Sequence, residues 1–378
     1  MKFYFFITVL LVSICGCSNL NRSDTVSTIM LNDNEIIVSY LDKLKADTVE
    51  ILLSDLVEGC ELVQLEYTEE ALFQPWKTTI TEKYIGITQE ERYRGSYKLF
   101  SRSGKFLCNI GSIGQGPGEY FLICDDVIDE KNELIYLAPF IGTNKILVYN
   151  TSGRFLKNIE MPQLMIGPQL FLSGDTLTVA YIGSTNDKSM VSQINIKSGQ
   201  VLNDVTTQIP QLGYTIFYNS RNMQHIFDIT HSAYDTLYHF NNSNCSLRPI
   251  FAMSGDLYEK PFKDHCQLNK HFVLTTIRNK GLIATDLKHK RSSWAKVKND
   301  YFGNLVVPYA TDIFYNGYFV YNIQPEQLME EIKKRLSESS CTEKDRQELQ
   351  KTLSTLKEDT NNVVFIGKLK NGIERRLF

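Results

Sequence analysis

What this 378-residue chain lacks narrows its role before any motif is read. It has no surplus of basic charge: 40 Lys+Arg stand against 43 Asp+Glu, a formal net charge of −3. Nucleic-acid surfaces need clustered positive charge, so that partner class is set aside. It has no Gly-x-Ser-x-Gly elbow and no His-Glu-x-x-His, the arrangements that expose a serine nucleophile or hold a catalytic zinc. Ser293-Trp-Ala-Lys296 has Ser-x-x-Lys spacing without the companion motifs that would make it catalytic. Asp264-His265-Cys266 and His271 lack a second short-spaced pair, so they read as a surface loop; neither a metal nor a cofactor is expected. Beyond the first residues no apolar run is long enough to cross a bilayer.

The cysteines show no framework spacing. Cys60, Cys108, Cys124, Cys245, Cys266 and Cys341 read as apolar thiols packed inside a large core, with one or two bridges left open.

What is present begins with an address. Phe3 to Ile14 is an apolar run after Lys2. As a helix it spans about 18 Å against roughly 30 Å of hydrocarbon, which makes it a signal segment and not a membrane span. Ile14-Cys15-Gly16-Cys17 matches a bacterial lipobox, in which small residues precede the cut and the cysteine takes the lipid. The expected organisation is a signal peptide over 1–16, lipidation at Cys17, a flexible tether over 17–34 and one folded unit over 35–378. The tether lacks an acidic cluster after Cys17, so the periplasmic side of an outer membrane is the expected location.

The folded unit reads as all-β. Glu61–Leu65, Tyr84–Thr88, Leu134–Leu137, Ile146–Tyr149, Thr176–Tyr181 and Tyr318–Asn322 are short runs of β-branched and aromatic residues punctuated by Gly, Asn, Asp and Ser. A hairpin repeats: Tyr97–Ile110 aligns with Ile146–Ile159, and more weakly with Ser192–Leu202. Its turn glycines are Gly104, Gly153 and Gly199, where positive φ is tolerated. Fainter copies place turns near Asn244, around Ser292-Ser293 and at Asn371-Gly372. Six units of 40–50 residues predict a six-bladed β-propeller of four-stranded blades, closed by strands from both ends of the chain. Thr48–Leu53 and Cys60–Leu65 are the N-terminal candidates for that shared blade, Val363–Leu369 and Arg375–Phe378 the C-terminal ones. Pro325 to Thr360 has no β pattern and is rich in Glu, Lys, Leu and Gln. It predicts a helical hairpin, Gln327–Leu336 and Lys344–Leu356, inserted in the last blade and packed on its side or one face, as a structural decoration or a partner-docking surface.

The strongest local signal is Gly111-Ser-Ile-Gly-Gln-Gly-Pro-Gly-Glu-Tyr120. Its spacing fits neither a dinucleotide-binding turn nor a P-loop, since Glu119 stands at a required glycine and Pro117 lacks an N–H. It reads as a connection between blades. With Leu53-Ser-Asp-Leu-Val57, Asp235-Thr-Leu-Tyr238 and Asn361-Asn-Val-Val-Phe-Ile-Gly-Lys-Leu369, this run resembles the six-bladed β-propeller lipoproteins of Bacteroidetes, relatives of NHL-type propellers. Asn362 stands where that family has proline. The resemblance implies an exported propeller and carries over no catalytic residue.

The leading expectation is a lipid-anchored binding or scaffold module, monomeric, for an unidentified protein or glycan. The alternative is a propeller enzyme of lyase or hydrolase type with its site at the central channel. Gln115, Glu119 and Tyr120 are the candidate ligand contacts, with Glu119 capping its own loop as the competing reading. Asp125-Asp126 are a further candidate at the channel, against a solvated strand end.

Overall fold

The computed structural model describes residues 25–31, 34–90, 95–183, 188–206, 217–223, 226–231, 235–241, 245–254, 263–308 and 313–371. The described residues are 57% strand and 12% helix, an all-β chain in a propeller-like arrangement with four blades distinguished among them.

An N-terminal strap comes first: β1 (Val26–Leu31), β2 (Asn34–Tyr40), β3 (Thr48–Leu52), the short helix α1 (Leu53–Leu56) and β4 (Glu61–Gln64). A sheet of β5 (Pro75–Ile80), β6 (Tyr84–Gln89), β7 (Tyr97–Ser101) and β8 (Phe106–Ile110) follows in that order. Two short strands, β9 (Ser112–Ile113) and β10 (Glu119–Tyr120), pair in parallel within the glycine-rich loop. Next is a seven-stranded sheet: β11 (Ile123–Asp129), β12 (Leu134–Pro139), β13 (Ile141–Asn150), β14 (Phe155–Ser173), β15 (Thr176–Gly183), β16 (Lys188–Asn195) and β17 (Val201–Thr206). Its long strand β14 pairs with β13 through its first part and with β15 through its second, with a register shift between Ile166 and Gln169.

The second half continues with β18 (Phe217–Tyr218), β19 (Phe227–His231), β20 (Thr236–Asn241) and β21 (Ser246–Ser254). Then come β22 (Lys263–Gln267), β23 (Phe272–Ile277), β24 (Gly281–Asp286), β25 (Arg291–Asn299) and β26 (Leu305–Val306). The last sheet is β27 (Phe314–Tyr315), β28 (Tyr318–Ile323), β29 (Val363–Lys368) and, from the other end of the chain, β4. Val363 to Ile366 pair antiparallel with Gln64 to Glu61, so both ends of the chain share one sheet, as predicted. Of the two N-terminal candidates only β4 takes this place. β3 lies parallel to β25 instead, and β2 parallel to β21. The strap thus covers the outer edges of three successive sheets, where bare ladder groups would invite aggregation.

This strap corrects the predicted tether. Part of 17–34 is β1, paired with β2 from Val26↔Ser39 to Leu31↔Asn34. In β1 Val26 is buried, while Ile29 and Met30 stay exposed, so no alternating pattern marked it as a strand.

The core lies between sheets. Ile80, Ile87 and Phe100 pack on Val320, Val364 and Ile366, joining the last sheet to the first. Tyr97 and Leu99 meet Ile128, Leu137 and Tyr149 across the next gap. Gly104, Gly153 and Gly199 adopt φ of 89°, 85° and 71° in the turns after β7, β13 and β16, so the repeat marks equivalent hairpins. The turn expected at Ser292-Ser293 is at 287–290 and those serines lie in β25. Gly372 and Arg375–Phe378 lie outside the described residues, as do 242–244. Among the described residues no disulfide joins any two of the six cysteines considered above.

Helices α2 (Pro325–Ser337) and α3 (Glu343–Thr355) are inserted between β28 and β29. Thr342 and Asp345 form a capping box at the start of α3. The hairpin packs onto the last sheet: Leu328, Ile332 and Leu349 are fully buried in one cluster with Phe319 and Phe365. The buried Arg335 bonds to Gly303 O and Asp345.

Candidate functional site

The glycine-rich loop is built to turn the chain. Glu119 Oε2 accepts from Gly116 N at 2.7 Å, and Oε1 from Ser112 Oγ at 3.3 Å. Tyr120 is 4% exposed and its ring belongs to the core. Its hydroxyl accepts from Tyr97 N at 2.8 Å and donates to Ile110 O, and burial pushes its pKa up. Gly118 has φ +73°, and a Cβ there would sit 2.5 Å from the Phe155 ring. Of the three predicted contacts, Tyr120 therefore offers no aromatic face and Glu119 turns into its own loop. Only Gln115 is exposed. The glycines admit the close approach of Phe155 and Tyr149 to the loop. Cys17 lies outside the described residues.

The polar centre of the molecule lies one strand further on. Asp125 and Asp126 are 0% and 1% exposed on β11, not at a solvated strand end. Asp125 pairs with Lys77 of β5 and, at 2.6 Å, with Arg221. It also accepts from Leu170 N of β14 at 2.7 Å and from Tyr315 Oη of β27 at 3.2 Å. Asp126 accepts from Thr79 at 2.8 Å and from Tyr97 at 3.0 Å. The Lys77 ammonium and the Arg221 guanidinium both lie over the Tyr315 ring, 3.9 and 4.6 Å from its centroid. Residues from four strands and one loop thus meet on one carboxylate.

The two neighbouring acids are pushed apart. Burial works to raise both. At Asp125 the charges of Arg221 and Lys77 outweigh it and hold the carboxyl below its ordinary value. At Asp126 burial prevails, the charge on Asp125 adds to it, and the pKa is raised.

Arg221 is delivered by a segment that crosses between sheets. Asn219 donates to Leu170 O at 3.3 Å, and Ser220 to Asp228 at 2.5 Å. Asn222 donates to Phe314 O at 2.8 Å and to Gln267 O at 3.1 Å, and accepts from Gly317 N at 3.0 Å. These bonds hold Arg221 at φ +52°, a conformation costly for a residue with a Cβ. Nothing in Asn219-Ser-Arg-Asn222 signalled this role. An Asp-Asp pair inside an otherwise apolar strand was the one legible trace.

Above this network is an open depression of about 520 Å³. Glu82, Glu130, Lys131, Asp175, Arg221 and Asn316 are among its lining residues. It collects the C-terminal ends of β5, β11 and β14 and the turn after β27. The glycine-rich loop leads into the N-terminal end of β11, so the two features lie at opposite ends of a strand about 23 Å long.

His265 and Asp264 are on β22, not on a surface loop. His265 is 3% exposed, its Nδ1 2.9 Å from Thr275 Oγ1, and burial pushes its pKa down to about 4. Burial raises Asp264 to about 6. Among the described residues no group of three or more His, Cys, Asp or Glu is placed to hold a metal ion.

With this geometry in place, residues 35–285 match a family described as a domain of unknown function, DUF4934. A candidate exported protein from Bacteroides fragilis has a similar structure: TM-score 0.57, 16% identity, covering 86% of this chain and 100% of that one. Weaker likenesses include hydrazine synthase from Kuenenia stuttgartiensis, at TM-score 0.41 and 15% identity over 57% of this chain and 65% of that one. Another is the extracellular domain of a candidate one-component system from B. thetaiotaomicron, at 0.39 and 16% over 62% and 29%. No curated protein matches the sequence.

Proposed function

We propose a function for this chain, which belongs to the DUF4934 family: it is a lipid-anchored cell-envelope module that binds a protein or glycan through the depression at the ends of its inner strands. The observation that carries this reading is a concave, open surface over a floor whose side chains are locked by short hydrogen bonds. Six blades are supported by four-stranded groupings: β5–β8, two halves of the seven-stranded sheet divided along β14, β18–β21, β22–β25, and β27–β29 with β4. An NHL-like propeller over 35–378, with 325–360 inserted and β1 added at its edge, is the proposed architecture. Export is supported by the signal segment and lipobox, Cys17 being the lipidated residue, and by the exported character ascribed to the Bacteroides fragilis neighbour. The outer membrane, periplasmic side, is the proposed address, and a monomer the proposed form.

An enzyme is the second reading, since paired carboxylates with opposite pKa shifts are what acid–base catalysis uses. Against it, Asp125 and Asp126 have almost no exposed surface through which a substrate would reach them. Capture from native envelope, with a glycan array in parallel, tests the proposal. Glu130→Lys with Asp175→Lys should abolish capture and Gln115→Ala should leave it intact; the reverse result overturns the placement. Cys17→Ala should leave the protein outside the membrane fraction.

A further inference from the structure

We infer that a second site lies in the groove where the end of the helical hairpin meets the β5–β8 sheet, and that it takes a glycan bearing uronate residues. The groove measures about 610 Å³ and shares no lining residue with the depression, so the site goes beyond the binding reading above and does not depend on it. It has three walls. Gln64 to Tyr67 lead out of β4, Ser103 to Lys105 belong to the turn after β7, and Thr355, Lys357 and Thr360 come from the end of α3 and the segment after it.

These walls are fixed. Glu66 N donates to Gly104 O at 2.8 Å, Glu66 O accepts from Asn361 Nδ2 at 2.9 Å, and Glu66 Oε2 accepts from Phe106 N at 2.7 Å. Asp359 N donates to Glu326 Oε1 at 3.0 Å, tying the segment after α3 to the start of α2. On this frame Tyr67 stands 56% exposed. An aromatic ring held in water by an anchored backbone is a preformed platform for the apolar face of a sugar ring.

The charge beside the ring is unspent. Lys105 and Lys357 are exposed, and neither ammonium has a partner among the described residues. Lys357 also suits the C-terminal end of α3, whereas Lys105 sits in a turn between strands and has no such local task. Glu66 is the one acid among the described lining residues, and Phe106 N occupies one of its oxygens. Thr355 Oγ1 donates to Thr352 O at 2.7 Å and Thr360 Oγ1 to Lys357 O at 3.0 Å. Each hydroxyl therefore keeps lone pairs that can accept from a ligand hydroxyl.

Free ammonium donors, fixed hydroxyl acceptors and an exposed ring together match a sugar ring that carries a carboxylate. An acidic peptide fits less well, because it would seek a free strand edge. β4 has β29 on one side and the turn after β7 on the other.

Calorimetry on the full mature chain at pH 7 and low salt tests this with digalacturonate, maltose and an acetylated, amidated dipeptide of two glutamates as probes. Digalacturonate should bind saturably, and maltose roughly tenfold more weakly for want of charge-assisted bonds to the ammonium groups. Tyr67→Ala and Lys105→Gln should each weaken digalacturonate at least fivefold without moving the melting temperature. The Glu130→Lys, Asp175→Lys protein should bind digalacturonate as the parent does, and Tyr67→Ala should leave envelope capture intact. Equal binding of maltose and digalacturonate overturns the role of the carboxylate, and a dipeptide bound as tightly as digalacturonate overturns the sugar in favour of an acidic peptide. Binding of none of the probes, or digalacturonate binding lost only in the Glu130→Lys, Asp175→Lys protein, removes the groove as a site. Failure of envelope capture with digalacturonate still bound would instead remove the depression and leave the groove standing.

Discussion

The glycine-rich loop over 111–120 and the carboxylate network on β11 are neighbours in sequence and opposites in physics. The loop is conspicuous, four glycines with Glu119 and Tyr120, yet Glu119 is spent on the loop itself and Tyr120 on the adjoining strands β7 and β8. The network is dispersed over β5, β11, β27 and the 219–222 segment, and its groups converge beneath an open depression. Local oddity in a sequence reports local backbone demand. Chemistry gathers where strands from distant parts of the chain converge, and such a site leaves a weak linear trace.

Breaking the network should have the largest effect. Asp125→Ala leaves Lys77 and Arg221 buried without their shared counter-ion, and a loss of about 3–5 kcal/mol is expected in urea unfolding. A loss below about 1 kcal/mol would mean that the pairing is not what holds the strands together.

The next test lies in the pH dependence of β22. His265 is neutral in the fold, with a pKa of about 4 against 6.5. Between these values the unfolded chain binds the extra proton, so this group makes stability fall on acidification, by up to about 3 kcal/mol at full effect. Asp264, at about 6 against 3.8, binds its proton first in the fold and acts in the opposite sense. The two nearly cancel in the native chain between pH 6 and 4. Melting curves should show His265→Gln becoming more stable as pH falls through that window, and Asp264→Asn becoming less stable. Parallel slopes in both variants would refute the opposition.

At the loop, Tyr120→Phe strands Tyr97 N and Ile110 O and should cost about 1–3 kcal/mol, with no change in ligand capture by the folded protein. Loss of capture at full stability would return the site to this loop. Gln115→Ala comes last, at an exposed position outside any bond network, and should stay within about 0.5 kcal/mol of the parent in chemical denaturation.

Much of the architecture was legible because its causes are local. Gly104, Gly153 and Gly199 announce hairpins since a tight turn demands positive φ within a few residues of the strands it joins. Pro325–Ser337 and Glu343–Thr355 are readable as helices from composition and from the Thr342 cap. The strap was half legible: closure through β4 was anticipated, whereas β1, β2 and β3 needed the edges they cover. Tyr120 illustrates the limit. Its identity says aromatic and amphipathic, and only its neighbours decide whether that means a ligand platform or a core hydroxyl.

By itself the sequence determined an all-β chain with repeated hairpins, a helical insertion and ends that meet, because turn chemistry and periodicity act over a handful of residues. The tertiary structure alone decided that Lys77, Arg221 and Tyr315, separated from Asp125 by 48, 96 and 190 positions, share one carboxylate. It also decided that three strand ends and the turn after β27 form a depression above them. Convergence of inner strands follows from how the sheets pack around one another, and the face a buried polar side chain turns to is set by the neighbouring sheet that must satisfy its charge.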